Sequence, residues 1–374
     1  MIIKTTPKFT YLDGLRGLSA LFVAFYHAQL FTGRSGAYLE SNLKPLNVFL
    51  SYGHFSVAIF IVLSGFCLTI PVALSEDKFL KGGFKRYIKR RFTRIIPPYY
   101  VALVLFIILI FSIPMLQTSQ NTVWDSKIPV TFDAVVAHIL LIHNFSESWI
   151  FKIDGPMWSV ATEWQIYFIF PILLYLWRRY GIVVSIVFAN ILGVIVALRF
   201  SLLHPWYLGL FSTGMVGSII CFSKDEMFHN LRSKINWPII SKLASAGLLI
   251  LAILIRFIKV NILISETFVG LCICIILINF TLIETKNEAG SRPFMLSIFN
   301  TRFAVFLGSF SYSIYLIHSP ILGYLNLLTI NFPIGIDLRL ILMLGVAVPI
   351  SVLISYVFYL LVERKFIPGK TKAS

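Results

Sequence analysis

The sequence is short of charge, of acidic residues above all, and of cysteine. Only 13% of its 374 residues are charged, and Asp and Glu number 16 against 32 Lys and Arg. Soluble domains carry about a quarter of their residues charged and about half apolar. Here 58% are hydrophobic with a mean hydropathy of +0.85, which excludes an ordinary water-soluble enzyme and points to a bilayer. The four cysteines, Cys67, Cys221, Cys272 and Cys274, fall inside apolar stretches, so no disulfide framework is implied. Cys272 and Cys274 are two apart and face nearly opposite ways on a helix, which excludes a shared metal. All four read as reduced packing residues. The sequence also lacks G-x-x-x-x-G-K-[ST], H-E-x-x-H and G-x-S-x-G. P-loop phosphoryl transfer, zinc proteolysis and the serine-hydrolase elbow therefore have no support.

What is present is a succession of apolar segments. A helix crossing ~30 Å of hydrocarbon needs about 20 mostly apolar residues, and stretches of that order lie near 11–31, 46–73, 95–113, 156–177, 182–200, 203–222, 237–256, 262–282, 303–328 and 338–362. The expected fold is thus an all-α polytopic membrane protein of about ten transmembrane helices, one domain over 1–374, with no repeat and no appended soluble domain. Asp13 and Arg16 interrupt the first apolar stretch, unlike a signal-peptide core, so the first helix is expected to stay. With both termini cytoplasmic, 24 of the 32 Lys and Arg fall on the inner side, as the positive-inside rule requires. The net charge of +16 is distributed in short runs between apolar stretches. Membrane lipids with anionic headgroups are its expected counter-charge, and nucleic acid is not. The apolar part of segment 114–155, Thr131 to Phe145, is too short to cross and reads as an interfacial or re-entrant helix.

Ionisable residues inside such helices are costly, ~2.5–3.5 kcal/mol each on insertion scales, and are functional candidates by default. Arg16 and His27 are eleven residues apart in the first span. On a helix that is three turns plus about 20°, one face, with ~16 Å between them along the axis. Asp13, one turn below Arg16, could orient it. A structural reading fits equally well: Arg16 snorkels to the inner headgroups and His27 bonds a neighbouring helix. Glu163 lies about two turns inside the fourth span, and His318, preceded by Tyr312 and Tyr315, reaches a similar depth in the ninth. Three ionisable groups at one depth suggest a shared polar cavity, with a structural hydrogen-bond partner as the lesser reading of Glu163. Arg91 and Arg94, the pair of the Lys85–Arg94 cluster nearest the membrane, share a helix face and suit a polyphosphate, while much of the cluster is ordinary inside charge. Ser64-Gly65-Phe66 is a small-residue step that would let a backbone or ligand approach closely.

These residues fall in motifs. Leu12-Asp13-Gly14-Leu15-Arg16-Gly17 is followed by His27, an R-x10-H pattern. Ile59 to Phe66, Arg90-Arg91-Phe92-Thr93-Arg94-Ile95-Ile96-Pro97 and Trp158-Ser159-Val160-Ala161-Thr162-Glu163 come next. Gly308 to His318 and Glu363-Arg364 close the series. In this order the chain resembles the acyltransferase 3 family of membrane acyltransferases. It departs from the family at His54-Phe55-Ser56-Val57-Ala58, where many members carry Gly-Val-Asp. The resemblance implies transfer of an acyl group, often acetyl, from cytoplasmic acyl-CoA to a hydroxyl, usually of a glycan or lipid-linked saccharide. It implies acyl-CoA as a donor substrate with no permanently bound cofactor and no metal, and a place in a bacterial cell membrane. On that basis His27 is expected as general base and Glu163 as its orienting partner, with Arg16, Arg91, Arg94 and Ser64 holding the donor and Asp13, Tyr312 and His318 in support. A transporter or flippase would also bury His, Glu and Arg in a helical bundle, but no internal repeat or pair of interrupted segments is visible. A non-catalytic scaffold would have no need of ionisable groups at matched depth.

Overall fold

The computed structural model describes residues 8–286 and 292–367; Lys4, Lys370 and Lys372, counted above among the inner charges, lie outside them. Among the described residues the chain is helical, without strands. In order the helices are α1 (Thr10–Phe31), α2 (Lys44–Ser51), α3 (Ser56–Ala73), α4 (Gly83–Ser112), α5 (Phe132–Ile139), α6 (Met157–Tyr180), α7 (Ile182–Ala197) and α8 (Tyr207–Phe222). Then come α9 (Glu226–Lys234), α10 (Trp237–Phe257), α11 (Ile262–Lys286), α12 (Phe294–Phe299), α13 (Arg302–Gly308), α14 (Ser311–Thr329), α15 (Ile336–Leu342) and α16 (Val348–Leu361).

Among the described residues seven helical stretches are long and apolar enough to cross a membrane, with Lys44–Ala73, Ser201–Phe222 and Ile336–Leu361 each running through more than one element, or eight if α13 and α14 form one broken span. This is a multi-pass membrane protein. Two of the ten expected crossings fall outside that set. The sixteen residues of α7 rise only about 24 Å, and α1 is diluted by Asp13, Arg16, His27 and Gln29. Two expected boundaries also move. The span placed at 303–328 is two helices meeting at 75°, because the chain turns after Gly308 and the Glu363 carboxylate accepts from the Ser313 backbone N–H and hydroxyl at the start of α14. An acceptor there satisfies amide groups that have no partner inside the helix. The span placed at 95–113 is instead a 30-residue helix from Gly83 to Ser112. It runs through Pro97 and Pro98 and carries the basic cluster on its first three turns. Segment 114–155 contains α5, of only eight residues, and short 3-10 turns.

The chain folds as two compact units of interleaved segments. The first comprises Met1–Leu15, Val57–Tyr87 and Gln165–Val305. Within it α7 packs on α8, α8 on α11 and α11 on α10. The step at Ser64-Gly65-Phe66 serves helix packing. A methyl on Gly65 would collide with the Phe211 backbone of α8, and one on Gly214 of α8 would collide with the Val62 carbonyl of α3. The small residues thus let the two backbones touch, as in membrane bundles generally. A carboxylate that sequence reasoning overlooked, Glu266, is buried in α11 and fully engaged, accepting from Trp206 Nε1 at 2.7 Å and the Tyr207 hydroxyl at 3.0 Å. Apolar side chains such as Leu243, Leu249, Ile253 and Phe257 of α10 point outward, as lipid contact requires.

The second unit comprises Arg16–Ser56, Ile88–Trp164 and Phe306–Ser374. In it α14 packs on α16, and α1 lies alongside α14. A reciprocal clasp fixes their register: Asn326 Oδ1 accepts from the Gly33 N–H at 2.8 Å and its Nδ2 donates to the Gly33 carbonyl at 2.9 Å. Gly33 sits at φ +72°, a conformation that L side chains rarely adopt.

Replacing Gly65 by Val should drive α3 and α8 apart and cost at least about 1–3 kcal/mol, as overpacking does. Gly345→Ala, where an added methyl meets nothing within 4 Å, should stay within about 0.5 kcal/mol. Thermal melting of the purified protein in detergent distinguishes the two, and equal melting temperatures would contradict the packing account.

Candidate active site

The second unit brings two of the anticipated residues into contact. His27 Nδ1 on α1 lies 2.8 Å from His318 Nε2 on α14, with the ring centroids 4.9 Å apart. The other nitrogen of His318, Nδ1, lies 2.9 Å from the Ile314 carbonyl one turn back. A carbonyl can only accept, so His318 Nδ1 carries the proton. In the neutral ring its Nε2 is then an acceptor, and the shared proton belongs to His27 Nδ1. This leaves His27 Nε2 with a free lone pair. The tautomer follows from the hydrogen-bond chain, from a helix carbonyl through one imidazole to the next, and the backbone of Val23, one turn back on α1, acts on His27 in the same sense. His318 is fully buried whereas His27 is only partly so; the terminal imidazole is the accessible one.

Around this pair α14 is held from two sides. The Tyr315 hydroxyl, three residues before His318, lies 2.6 Å from the Ser159 hydroxyl of α6. Tyr312 donates to the Ile95 carbonyl of α4 at 2.9 Å. Pro97 and Pro98 have no N–H to give to the carbonyls of the preceding turn, and Tyr312 reaches α4 beside that gap. Tyr312 therefore anchors α14 to α4. Glu163 lies one turn beyond Ser159, half-buried, and its charge bears on Tyr315. At His27 Nδ1 the neighbouring group is His318 Nε2.

The cationic residues have separate places. Arg16 is half-buried three turns below His27 on the unbroken α1, ~16 Å away along the axis. On α4, Arg94 is exposed and Arg91 half-buried, and the buried Arg91 Nε makes no hydrogen bond. Ser64 and Asp13 belong to the first unit. The Ser64 hydroxyl is 3.0 Å from that of Tyr167 in a buried pair, and Asp13 is half-buried on α1. Among the described residues no three His, Cys, Asp or Glu side chains converge as a metal site needs, and all four cysteines are free thiols.

Sequence reasoning missed Lys127 and Asp154, both buried in the segment before α6. Lys127 bears electrostatically on both imidazoles. Asp125 stands two residues before Lys127 and Lys152 two before Asp154, so no local pattern singled these two out.

The model of an acyltransferase domain family, acyltransferase 3, matches residues 9–360. The chain belongs to this family. Among curated acyltransferase relatives, the peptidoglycan O-acetyltransferase OatA of Listeria monocytogenes is 25% identical over 334 residues, 83% of this chain and 49% of that protein. The acyltransferase MdmB of Streptomyces mycarofaciens is 27% identical over 173 residues, 45% of this chain and 38% of that protein. A third relative, protein 2 of the picA locus of Rhizobium radiobacter, is 36% identical over 100 residues, 26% of this chain and 44% of that protein. The chain thus spans about half the length, or less, of the curated relatives it matches. No solved structure matches it.

His318→Phe removes the acceptor that fixes the His27 proton. With 15N-labelled histidine, the unaltered protein should give a protonated Nδ1 and a bare Nε2 for His27, and the variant a mixture of tautomers. A variant spectrum identical to that of the parent would show that His318 does not set the tautomer.

Proposed function

We propose that this protein is a membrane O-acyltransferase that moves an acyl group, acetyl in the simplest case, from cytoplasmic acyl-CoA to a hydroxyl of a glycan or lipid-linked saccharide. The observation that carries the reading is the His27–His318 pair, because it presents a neutral imidazole nitrogen with a free lone pair at a partly accessible position inside a membrane bundle. Membership of an acyltransferase family supports it, and the names of the two relatives, one an O-acetyltransferase of peptidoglycan, support a hydroxyl on a glycan as the acceptor. Transport is not favoured, since family and named relatives alike are acyltransferases.

Arg16, Arg91 and Arg94 hold the donor phosphates at the inner face, where guanidinium groups suit phosphate geometry, and Asp13 orients Arg16. The unpaired Nε of Arg91 agrees with this role. The pantetheine arm follows the face of α1 from Arg16 to His27, a rise that matches an extended chain of that length. His27 Nε2 takes the proton of the acceptor hydroxyl as its oxygen attacks the thioester carbon. The imidazolium so formed is no longer balanced by its neutral His318 partner, and we assign to Glu163 the role of offsetting it. On collapse the C–S bond breaks and His27 returns the proton to the thiolate. The acceptor side opens at the end of α1, where a cavity of about 410 Å³ is lined by Gly33, Arg34, Glu40, Asn121 and Arg339. Termini inside, ten crossings and a bacterial cell membrane complete the proposal.

Purified protein given acetyl-CoA and a glycan acceptor should release free thiol in step with ester formation. His27→Ala should lower turnover about 10²–10⁴-fold, the usual contribution of a general base, with donor binding unchanged. Arg16→Ala should weaken donor affinity about tenfold with a smaller effect on kcat. Near-normal turnover in His27→Ala would remove the general-base assignment, and absence of thiol release across donors and acceptors would remove the acyltransferase reading.

A further inference from the structure

The three turns of segment 114–155 bring a buried ammonium to the depth of the histidine pair. The 3-10 helix Val123–Lys127 is docked by Trp124, which is fully buried and donates from Nε1 to the Leu116 carbonyl at 2.9 Å. A methyl on Gly323 of α14 would press on both the Trp124 ring and the Phe31 ring of α1, so Trp124 sits at the junction of those two helices. Phe31 is one turn beyond His27 and Gly323 is five residues beyond His318. One 3-10 turn after Trp124 comes Lys127, which at 5% exposure is buried. Its Nζ fills the space beside Gly155, where a methyl would collide with it, and lies 5.7 Å from the Phe151 ring centroid. The backbone clasp of Ile153 N–H to the Lys127 carbonyl, 3.0 Å, joins the two stretches that carry these residues.

Asp154 is fully buried at the approach to α6, and neither of its carboxylate oxygens has a hydrogen-bond partner. Ser319, the residue after His318, is buried with an unpaired hydroxyl on the Asp154 side. A lysine, a carboxylate and a hydroxyl are thus buried in the same unit as the histidine pair, the lysine bearing on both imidazoles and the carboxylate on the lysine. By contrast Glu266 and Glu363, the other buried carboxylates, each accept two hydrogen bonds. Burying charge is costly unless it is paired and hydrogen-bonded, and groups held in that state converge where a reacting centre supplies the missing partners.

We propose that Lys127 is the cation that stabilises the oxyanion formed on the thioester carbonyl, with Asp154 as its buried counter-charge. The inference rests on the acyltransferase reading and supplies the electrophilic group that reading lacks. As the acceptor oxygen bonds to the carbonyl carbon, the C=O π pair moves onto oxygen and the hydroxyl proton goes to His27 Nε2. Lys127 donates a hydrogen bond to that oxygen. The pair then returns, the C–S bond breaks with its electrons on sulfur, and the proton passes from His27 to the thiolate. Lys127 keeps its proton throughout. A fixed ammonium in a water-poor site favours the oxyanion over the ground-state carbonyl. The charged or titratable groups bearing on Lys127 are Asp154, Lys152, His27 and His318. Burial draws Lys127 down to about 8, Asp154 opposes this and Lys152 adds to it. Burial raises Asp154, and Lys127 opposes that rise.

The test compares the full-length protein with Lys127→Met and Lys127→Arg in detergent, with acetyl-CoA as donor. Lys127→Met should lose about 10²–10³-fold in kcat, the cost of removing one oxyanion donor, while the donor KM stays within about threefold. Activity of the parent should fall as pH rises through about 8, where Lys127 loses its proton. Lys127→Arg, which stays charged, should keep measurable turnover and move that alkaline limb upward. A kcat for Lys127→Met within threefold of the parent, or an unmoved alkaline limb in Lys127→Arg, overturns the proposal. Should Lys127→Met fail to fold, the Lys127→Arg profile decides alone. If the parent protein transfers no acetyl group, it is the acyltransferase reading that fails; if it does and the variants match it, only the role of Lys127 fails.

Discussion

The hydrogen bond between His27 and His318 is the constraint on which the candidate site depends. In an apolar bundle an imidazole cannot rely on water to fix its tautomer, so a helix carbonyl does it through an intermediary. The Ile314 carbonyl holds the proton on one ring, that ring accepts from the next, and the last nitrogen in the chain is left basic. The arrangement requires α1 and α14 to run side by side in one register. The Asn326–Gly33 clasp, the Ser159–Tyr315 contact and the Tyr312–Ile95 bond provide that register from both ends of α14. Removing water raises the stakes for every polar group inside, which is why so many of these side chains act in pairs.

Buried polar groups in this protein fall into two kinds. Glu266, Glu363 and Asn326 are matched by donors or acceptors of the protein itself, and they tie helix ends together much as caps do. Asp154 and Ser319 of the second unit are not matched in that way, nor are Thr69, Ser218 and Trp237 of the first. Glu163 stands between the two kinds, at a helix turn next to Ser159 with its charge bearing on Tyr315.

Much of this was legible in the sequence because a bilayer imposes simple rules. Low charge, long apolar runs and basic residues in short clusters indicate a helical membrane protein, and Arg16 and His27 share a face by arithmetic. The break between α13 and α14 was not legible, since it depends on Glu363, fifty residues away, reaching the start of α14. Nor was the early start of α4, because Pro97 and Pro98 look like a helix beginning when the preceding basic turns carry no apolar pattern. The small-residue step at Ser64-Gly65-Phe66 left backbone packing and ligand approach both open, and the structure shows Gly65 against the α8 backbone and the Ser64 hydroxyl against that of Tyr167.

The sequence by itself determined the class of fold, the family and the face of α1 that carries Arg16 and His27, because hydropathy, charge placement and helical period are local properties. Tertiary structure alone decided that the partner of His27 is another histidine, which ring nitrogen is left basic, and that Lys127 of an irregular segment is buried where it bears on both imidazoles. Those outcomes depend on contacts between residues nearly 300 positions apart and on a loop without periodicity, and no local pattern encodes either.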